Sequence, residues 1–263
     1  MAPQFDTDYL DRFSGIGRLY GTGALARLQS AHVAVIGIGG VGTWAAEALA
    51  RSGIGKLTLI DLDEICITNV NRQLHALDGQ IGKPKVEAMA ERIRLISPHC
   101  EVHAIPEFFT GGSADRLLGS GFDVVVDAID SIGHKALLVA RCRDERIPLV
   151  VCGGAGGKRD PSRIRIDDLA FATNDKLLKR LRKQLRREYD FPEESTKAPF
   201  DVRAAFCDER TVFPWADGTV CATPEPGSDL RLNCESGFGT ATFITGAVGF
   251  AAAAEAVKLL TSS

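Results

Sequence analysis

Gly37-Ile38-Gly39-Gly40-Val41-Gly42 closes a short apolar run, His32-Val33-Ala34-Val35-Ile36, and opens an alanine-rich segment. A glycine turn between a strand and a helix lets backbone N–H groups approach a phosphate closely, with the positive end of the helix dipole facing it. Asp61 stands nineteen residues after Gly42, at the end of the next apolar run, where a carboxylate can accept from ribose hydroxyls. The bland alternative is a tight strand-to-helix turn without a ligand. Loop, helix and acid in this order favour a nucleotide, but the pair alone does not separate a dinucleotide from ATP.

The following segments carry more chemistry. Asp61-Leu62-Asp63 precedes Thr68-Asn69-Val70-Asn71-Arg72-Gln73 and Gly82-Lys83-Pro84-Lys85-Val86-Glu87, and Asp127-Ala128-Ile129-Asp130-Ser131 ends the fourth apolar run. This set resembles the nucleotide site of the ubiquitin-activating (E1-like) superfamily, whose members adenylate carboxylates. The resemblance implies ATP contacts from Gly37, Gly39, Gly40, Gly42, Asp61, Asp63, Asn69, Asn71, Arg72, Gln73, Lys85, Asp130 and Ser131. Hydride transfer has no use for an arginine and a lysine between strands two and three. Adenylation does, because charge builds on the triphosphate as pyrophosphate departs. Arg72 and Lys85 would then hold phosphates, and Asp130 would hold the Mg2+ that bridges them. Taken singly, solvated charges and a helix cap at Asp130 would account for the same residues.

Later blocks narrow the resemblance and extend it over nearly the whole chain. Arg12-Phe13, Arg18-Leu19-Tyr20-Gly21, the run from Trp44 through Arg51, Gln73-Leu74-His75-Ala76-Leu77, Gly153-Gly154-Ala155-Gly156-Gly157, Asp217-Gly218-Thr219-Val220-Cys221 and Cys234-Glu235-Ser236-Gly237-Phe238-Gly239 are similar to the bacterial tRNA threonylcarbamoyladenosine dehydratases. That family implies ATP-dependent cyclisation of N6-threonylcarbamoyladenosine at position 37 of tRNAs reading ANN codons. It also implies a homodimer in which an N-terminal arginine reaches the partner's ATP site, Arg18 first and Arg12 second, and it leaves room for a monovalent cation. One competing reading is an activator of a ubiquitin-like sulfur carrier in molybdopterin or thiamine synthesis. Such activators commonly hold zinc between two C-x-x-C pairs, which the seven cysteines here do not form, so no zinc is expected. Another is an ATP-dependent scaffold for a cysteine desulfurase or sulfur-acceptor system. A nicotinamide dehydrogenase is disfavoured by Arg72, Lys85 and Asp130. Cys234 could form a thioester or accept sulfur; with no base or cation to lower its pKa, a small buried hydrophobe is preferred.

To position these groups, apolar runs ending at residues 36, 61, 105, 127 and 152 must be strands, separated by helices over residues 43–52, 83–96 and 134–145. The expected fold is therefore α/β: a Rossmann-like, mainly parallel sheet with helices on both faces, followed by an antiparallel C-terminal elaboration. The expected organisation is an N-terminal helical segment at 1–30, an ATP-binding core at 31–157 and an elaboration at 158–263, within one domain. In the elaboration, residues 163–169 and 210–214 read as strands, 176–189 as a helix and 237–260 as a small-residue-rich helix.

Charge is uneven. The chain of 263 residues is −3 overall, which excludes a globally basic nucleic-acid coat, yet residues 158–187 carry eleven Lys/Arg against four Asp/Glu. Lys179, Arg180, Lys183 and Arg187 on the basic helix are candidates for tRNA backbone contact; a solvated amphipathic face is the alternative. No DNA partner is expected. An odd cysteine count without regular spacing and a polar N-terminus point to the cytosol. Residues 237–254 carry no charge and approach the length of a membrane span, but their Gly, Ala and Thr content favours a buried core helix.

Overall fold

The computed structural model describes residues 5–227 and 238–262. Two helices come first, α1 (Thr7–Tyr20) and α2 (Thr22–Ser30). Asp6 caps α1 by accepting from Asp8 N at 2.8 Å, and Gly21, at φ +92°, turns the corner between the helices. Tyr9, Phe13 and Leu25 pack together, and Tyr9 Oη donates to Gly53 O at 2.7 Å. This contact ties α1 to the edge of the sheet where the strands begin.

Strands then alternate with helices: β1 (His32–Ile36), α3 (Gly42–Arg51), β2 (Lys56–Ile60), α4 (Lys85–Ile96), β3 (Glu101–Ile105), α5 (Ala114–Leu118), β4 (Val124–Asp127), α6 (Ile132–Asp144) and β5 (Leu149–Cys152). The second half adds β6 (Ile164–Asp168), α7 (Lys176–Glu188), β7 (Arg203–Cys207), β8 (Phe213–Pro214), β9 (Val220–Cys221) and α8 (Thr242–Thr261). One sheet of seven strands runs β3-β2-β1-β4-β5-β7-β6. All neighbours are parallel except β6, which lies antiparallel to β7. Every residue of β1, β4 and β5 is buried, as continuous apolar runs in a parallel sheet covered on both faces require. One core lies under α3, α4 and α8, the other under α5, α6 and α7.

The mainly parallel α/β fold with an antiparallel C-terminal part is the one expected, with four corrections. The strand expected at 210–214 shrinks to Phe213–Pro214, paired with Val220–Cys221 outside the main sheet. The sheet strand is instead β7, whose Ala204 to Cys207 are buried between β5 and β6. Its apolar run is only four residues long and follows a polar stretch, so its pattern was weak. The short helix α5 was also not anticipated.

The helix expected at 237–260 begins at Thr242. By length and composition α8 could cross a membrane, yet more than half of its most apolar window is buried in the fold. Its small residues serve a close helix crossing. A Cβ at Gly249 would lie 2.6 Å from Val41 O and 2.8 Å from Trp44 Cβ, and Gly246 also faces the Trp44 ring. The segment Cys234-Glu235-Ser236-Gly237 lies outside the described residues.

Candidate active site

The carboxyl ends of β1, β2, β4 and β5 open on a cavity of about 450 Å³. It lies where the connections from β1 and β4 diverge to opposite sides, the usual ligand position in an open α/β sheet. Gly37, Gly39 and Gly40 line it. Gly37 has φ +91°, and a Cβ there would meet Ala128 O at 2.7 Å. Gly42 was expected at the nucleotide too, but it does not line the cavity. It begins α3, and a Cβ on it would come within 1.8 Å of Gly37 O. Its requirement is loop-to-helix packing.

Asp61 holds the glycine loop in place as well as lining the cavity. Its Oδ2 accepts from Ile38 N at 2.6 Å and its Oδ1 from Asp63 N at 2.9 Å. Burial pushes this carboxyl above its ordinary range, against the opposing pull of Lys85. Beneath the loop, buried His75 places Nε2 3.0 Å from Ile38 O. Burial lowers the pKa of His75 to about 4, against the hydrogen bond to the Ile38 carbonyl, which favours the charged ring. Its Nδ1 finds no partner among the described residues.

The wall between β2 and α4 carries the cations. Lys85 is buried with its Nζ 2.7 Å from Asp63 Oδ2, while Lys85 N donates to Asp63 O at 3.0 Å. Asp63 thus fixes both the backbone and the ammonium of Lys85 at the cavity. Arg72 donates through Nη1 to Thr68 O at 2.7 Å and to Asn71 Oδ1 at 3.0 Å. The Arg72 carbonyl accepts from Trp44 Nε1 at 3.1 Å and from Thr245 Oγ1 at 3.2 Å. Asn69 is buried and accepts from Cys66 N at 3.0 Å, and Gln73 keeps a buried Oε1 without a partner among the described residues. Asn69, Arg72 and Gln73 line the cavity. Asn71 does not: its Nδ2 donates to Thr240 O at 3.0 Å, and its carbonyl accepts from Thr242 Oγ1. It fastens the Arg72 segment to the start of α8, a positioning task instead of the nucleotide contact expected of it.

On the opposite side, Asp130 and Ser131 line the cavity from an exposed loop after β4. Beneath them lies a pair that sequence reasoning missed. Lys135 Nζ sits 3.0 Å from Asp127 Oδ1, and both side chains are fully buried. The ammonium also donates to Asp127 O at 3.2 Å and Ile129 O at 2.9 Å, and Asp127 Oδ1 accepts from Ile129 N at 3.0 Å. The loop that presents Asp130 is therefore clamped from below. A lysine in the first turn of the helix after an acid-ended strand was the available signal. Asp175 was missed as well. Its Oδ2 accepts from Gly154 N at 2.8 Å and its Oδ1 caps α7 through Leu178 N at 2.9 Å, joining the loop after β5 to α7. The Asp-Lys-Leu-Leu start of that helix was its signal.

Among the described residues no three His, Cys, Asp or Glu side chains gather as a metal cage. Mg2+ nevertheless takes only one or two free carboxylates plus substrate phosphates, and of the carboxylates lining the cavity Asp61 is engaged with Ile38 N, Asp63 with Lys85 and Glu107 with Arg116. Asp130 meets that requirement. Arg18 is exposed on α1, 3.3 Å from Ser14 Oγ, and does not line the cavity. Arg12 is engaged with Asp8 at 2.8 Å. On α7, Leu177, Leu178, Leu181 and Leu185 are buried, while Lys179, Arg180, Lys183 and Arg187 are exposed. Arg187 pairs with Glu188; the other three make no ion pair among the described residues.

Residues 14–263 match the ThiF family model. The tRNA threonylcarbamoyladenosine dehydratase of Escherichia coli is 48% identical over 248 residues, 94% of this chain and 92% of that one. The chain belongs to the ThiF family, on the branch of these dehydratases. Within the ThiF family, an E. coli tRNA N6-threonylcarbamoyladenosine dehydratase solved in complex with ATP has a TM-score of 0.86 at 42% identity, covering 99% of this chain and 98% of that one. The E. coli molybdopterin-synthase adenylyltransferase, which represents the sulfur-carrier alternative, matches only 123 residues at 32% identity, 47% of this chain. The extent of the match favours the dehydratases over that alternative.

Proposed function

We propose that this protein is an ATP-dependent tRNA dehydratase that adenylates and cyclises the threonylcarbamoyl side chain of N6-threonylcarbamoyladenosine at position 37 of tRNA. The observation that carries this reading is full-length similarity to the dehydratase solved with ATP, together with a cavity bringing the glycine loop, Asp61, Arg72, Lys85 and Asp130 to one place. A carboxylate is a poor electrophile because an oxide would have to leave. Attack of the substrate carboxylate on the α-phosphate of ATP releases pyrophosphate and gives an acyl-adenylate with AMP as leaving group. A nucleophilic atom of the same side chain then attacks the acyl carbon, AMP departs, and the net change is loss of water. Because the nucleophile belongs to the substrate, proximity supplies much of the acceleration and no protein cysteine need react.

In this reading Asp61 orients the ribose, and Asn69 and Gln73 bound the nucleotide. Arg72 and the ammonium of Lys85, steadied by Asp63, offset charge on the phosphates. Asp130 would hold Mg2+, which supplies charge neutralisation across the phosphates when bound. The exposed apolar side chains Ile67, Val70, Leu77, Phe243 and Phe250 are suited to a homodimer interface, through which Arg18 enters the partner's cavity. Lys179, Arg180, Lys183 and Arg187 contact the tRNA backbone. The protein works in the cytosol, where its tRNA substrate is found. The test is pyrophosphate release and nucleoside mass spectrometry with purified protein, ATP and tRNA bearing the open side chain. Pyrophosphate released in step with a nucleoside one water lighter is expected. Release with a sulfur-carrier protein and none with tRNA would transfer the protein to the alternative.

A further inference from the structure

A second cavity, of about 310 Å³, lies at the start of α7 and is lined by Lys176, Lys179, Arg182 and Arg210 together with Asp175, Thr211 and Phe213. Four cations face one carboxylate, and that carboxylate is already spent on Gly154 N and Leu178 N. The cavity is built on a rigid support. Behind it, Lys158 is buried and spans the two walls, donating through Nζ to Asn174 O at 2.8 Å and to Glu209 O. The clamp fixes Asp175 and Lys176 on one wall and Arg210 on the other. Lys176 Nζ lies 3.9 Å from the Phe213 ring centroid and 4.5 Å from that of Phe238, so its direction is set as well. Arg210 and Lys179 are exposed and make no ion pair among the described residues.

We infer that this cavity seats a backbone phosphodiester of the tRNA strand next to the modified nucleotide. Like charges held together by a buried clamp are costly unless an anion joins them, and the burial and cationic neighbours of Lys176 already lower its pKa. The position suits a neighbouring nucleotide. Leu177 and Gly154 line the ATP cavity, whereas Asp175 and Lys176 line this one, so the two cavities share a wall. A strand whose base side chain reaches the ATP cavity would pass its phosphate over that wall. Single-stranded tRNA segments are recognised by such splayed, phosphate-anchored geometry.

The inference rests on the dehydratase reading, and wild-type protein must first convert tRNA for the test to bear on it. Arg210→Glu and Lys179→Glu are compared with Arg187→Glu, the same charge reversal near the far end of α7. The KM for modified tRNA should rise about tenfold in Arg210→Glu, with kcat and the KM for ATP held. The slope of log affinity against log salt should shrink by about 0.7 per lost phosphate contact. Arg187→Glu should have a clearly smaller effect. Equal effects at both ends of α7 would reduce the cavity to part of a diffuse basic face and overturn the inference. An unchanged tRNA KM with weaker product inhibition by pyrophosphate would overturn it too, by assigning the cavity to the leaving group. Failure of the wild type to convert tRNA would instead sink the dehydratase reading.

Discussion

Lys135→Met tests whether the loop presenting Asp130 is held by a buried charge. The substitution keeps most of the side-chain volume and removes an ammonium bonded to Asp127 Oδ1, Asp127 O and Ile129 O. Asp127 would then be a fully buried carboxylate with Oδ2 lacking a partner among the described residues and Oδ1 left with one donor, Ile129 N. Removing one partner of a buried pair costs about 3–5 kcal/mol, a large share of a typical folding stability of about 5–15 kcal/mol. Urea unfolding followed by circular dichroism reads the loss as a fall in midpoint at constant slope. The pH dependence carries the mechanism. Burial pushes Asp127 up and Lys135 opposes it; without Lys135 only the Ile129 N–H still opposes the rise. The folded variant then binds a proton that the unfolded chain does not, so its stability falls as pH rises through the folded pKa. Its deficit against wild type should be smaller at about pH 5.5 than at about pH 8. Adding Asp127→Asn should recover at least half of the loss, because the stranded charge is gone. A deficit below about 1 kcal/mol that is flat with pH would refute the clamp.

His75 gives a prediction of opposite sign. Its folded pKa of about 4 lies below the unfolded value, so the unfolded chain takes up a proton first, and stability should decline as pH falls from about 6.5 towards 4. His75→Gln should flatten that decline in pH-dependent urea unfolding, and an unchanged slope would remove His75 as its source. The dimer proposal is tested by complementation: Arg18→Ala and Asp130→Asn should each be nearly inactive alone, and their mixture should regain activity. Inactive mixtures after verified subunit exchange would exclude action in trans.

Legibility in the sequence followed the range of the interactions. The glycine loop, Asp61 and the first five strands are local patterns, a strand run followed by a turn followed by a helix, and their order fixes a parallel sheet. Gly42 and Asn71 could be found but not assigned. Whether a glycine faces ligand or Gly37 O, or an asparagine faces ligand or Thr240 O, depends on chain segments that only folding brings near. Lys135 was overlooked because a lysine in a helix is ordinarily a solvated charge, and nothing local announces its complete burial. β7 escaped because a short Ala-Ala-Phe-Cys run carries little periodicity; its place is set by the edge of β5 and by antiparallel pairing with β6, from which α7 separates it in sequence.

The two walls of the ATP cavity divide the work by charge. The wall built from β1, β2 and the segment before α4 carries Asp61, Asp63, Arg72 and Lys85, whereas the contribution of the second half, Cys152 to Ala155, Leu177, Thr240 and Thr245, carries no charged side chain. A triphosphate belongs against the cations. The substrate carboxylate has to meet the α-phosphate from the side that does not compete for them, and small neutral residues leave it room there. The neutral wall is also the wall held by Asp175 and continuous with α7, the element through which the basic surface reaches the cavity. The nucleotide cavity and the basic helix therefore meet at the Gly153-Gly154 loop. There a Cβ on Gly153 would lie 2.4 Å from Asp175 Oδ2 and 2.8 Å from Phe206 Cβ, so a side chain at that position would displace Asp175 and break the junction.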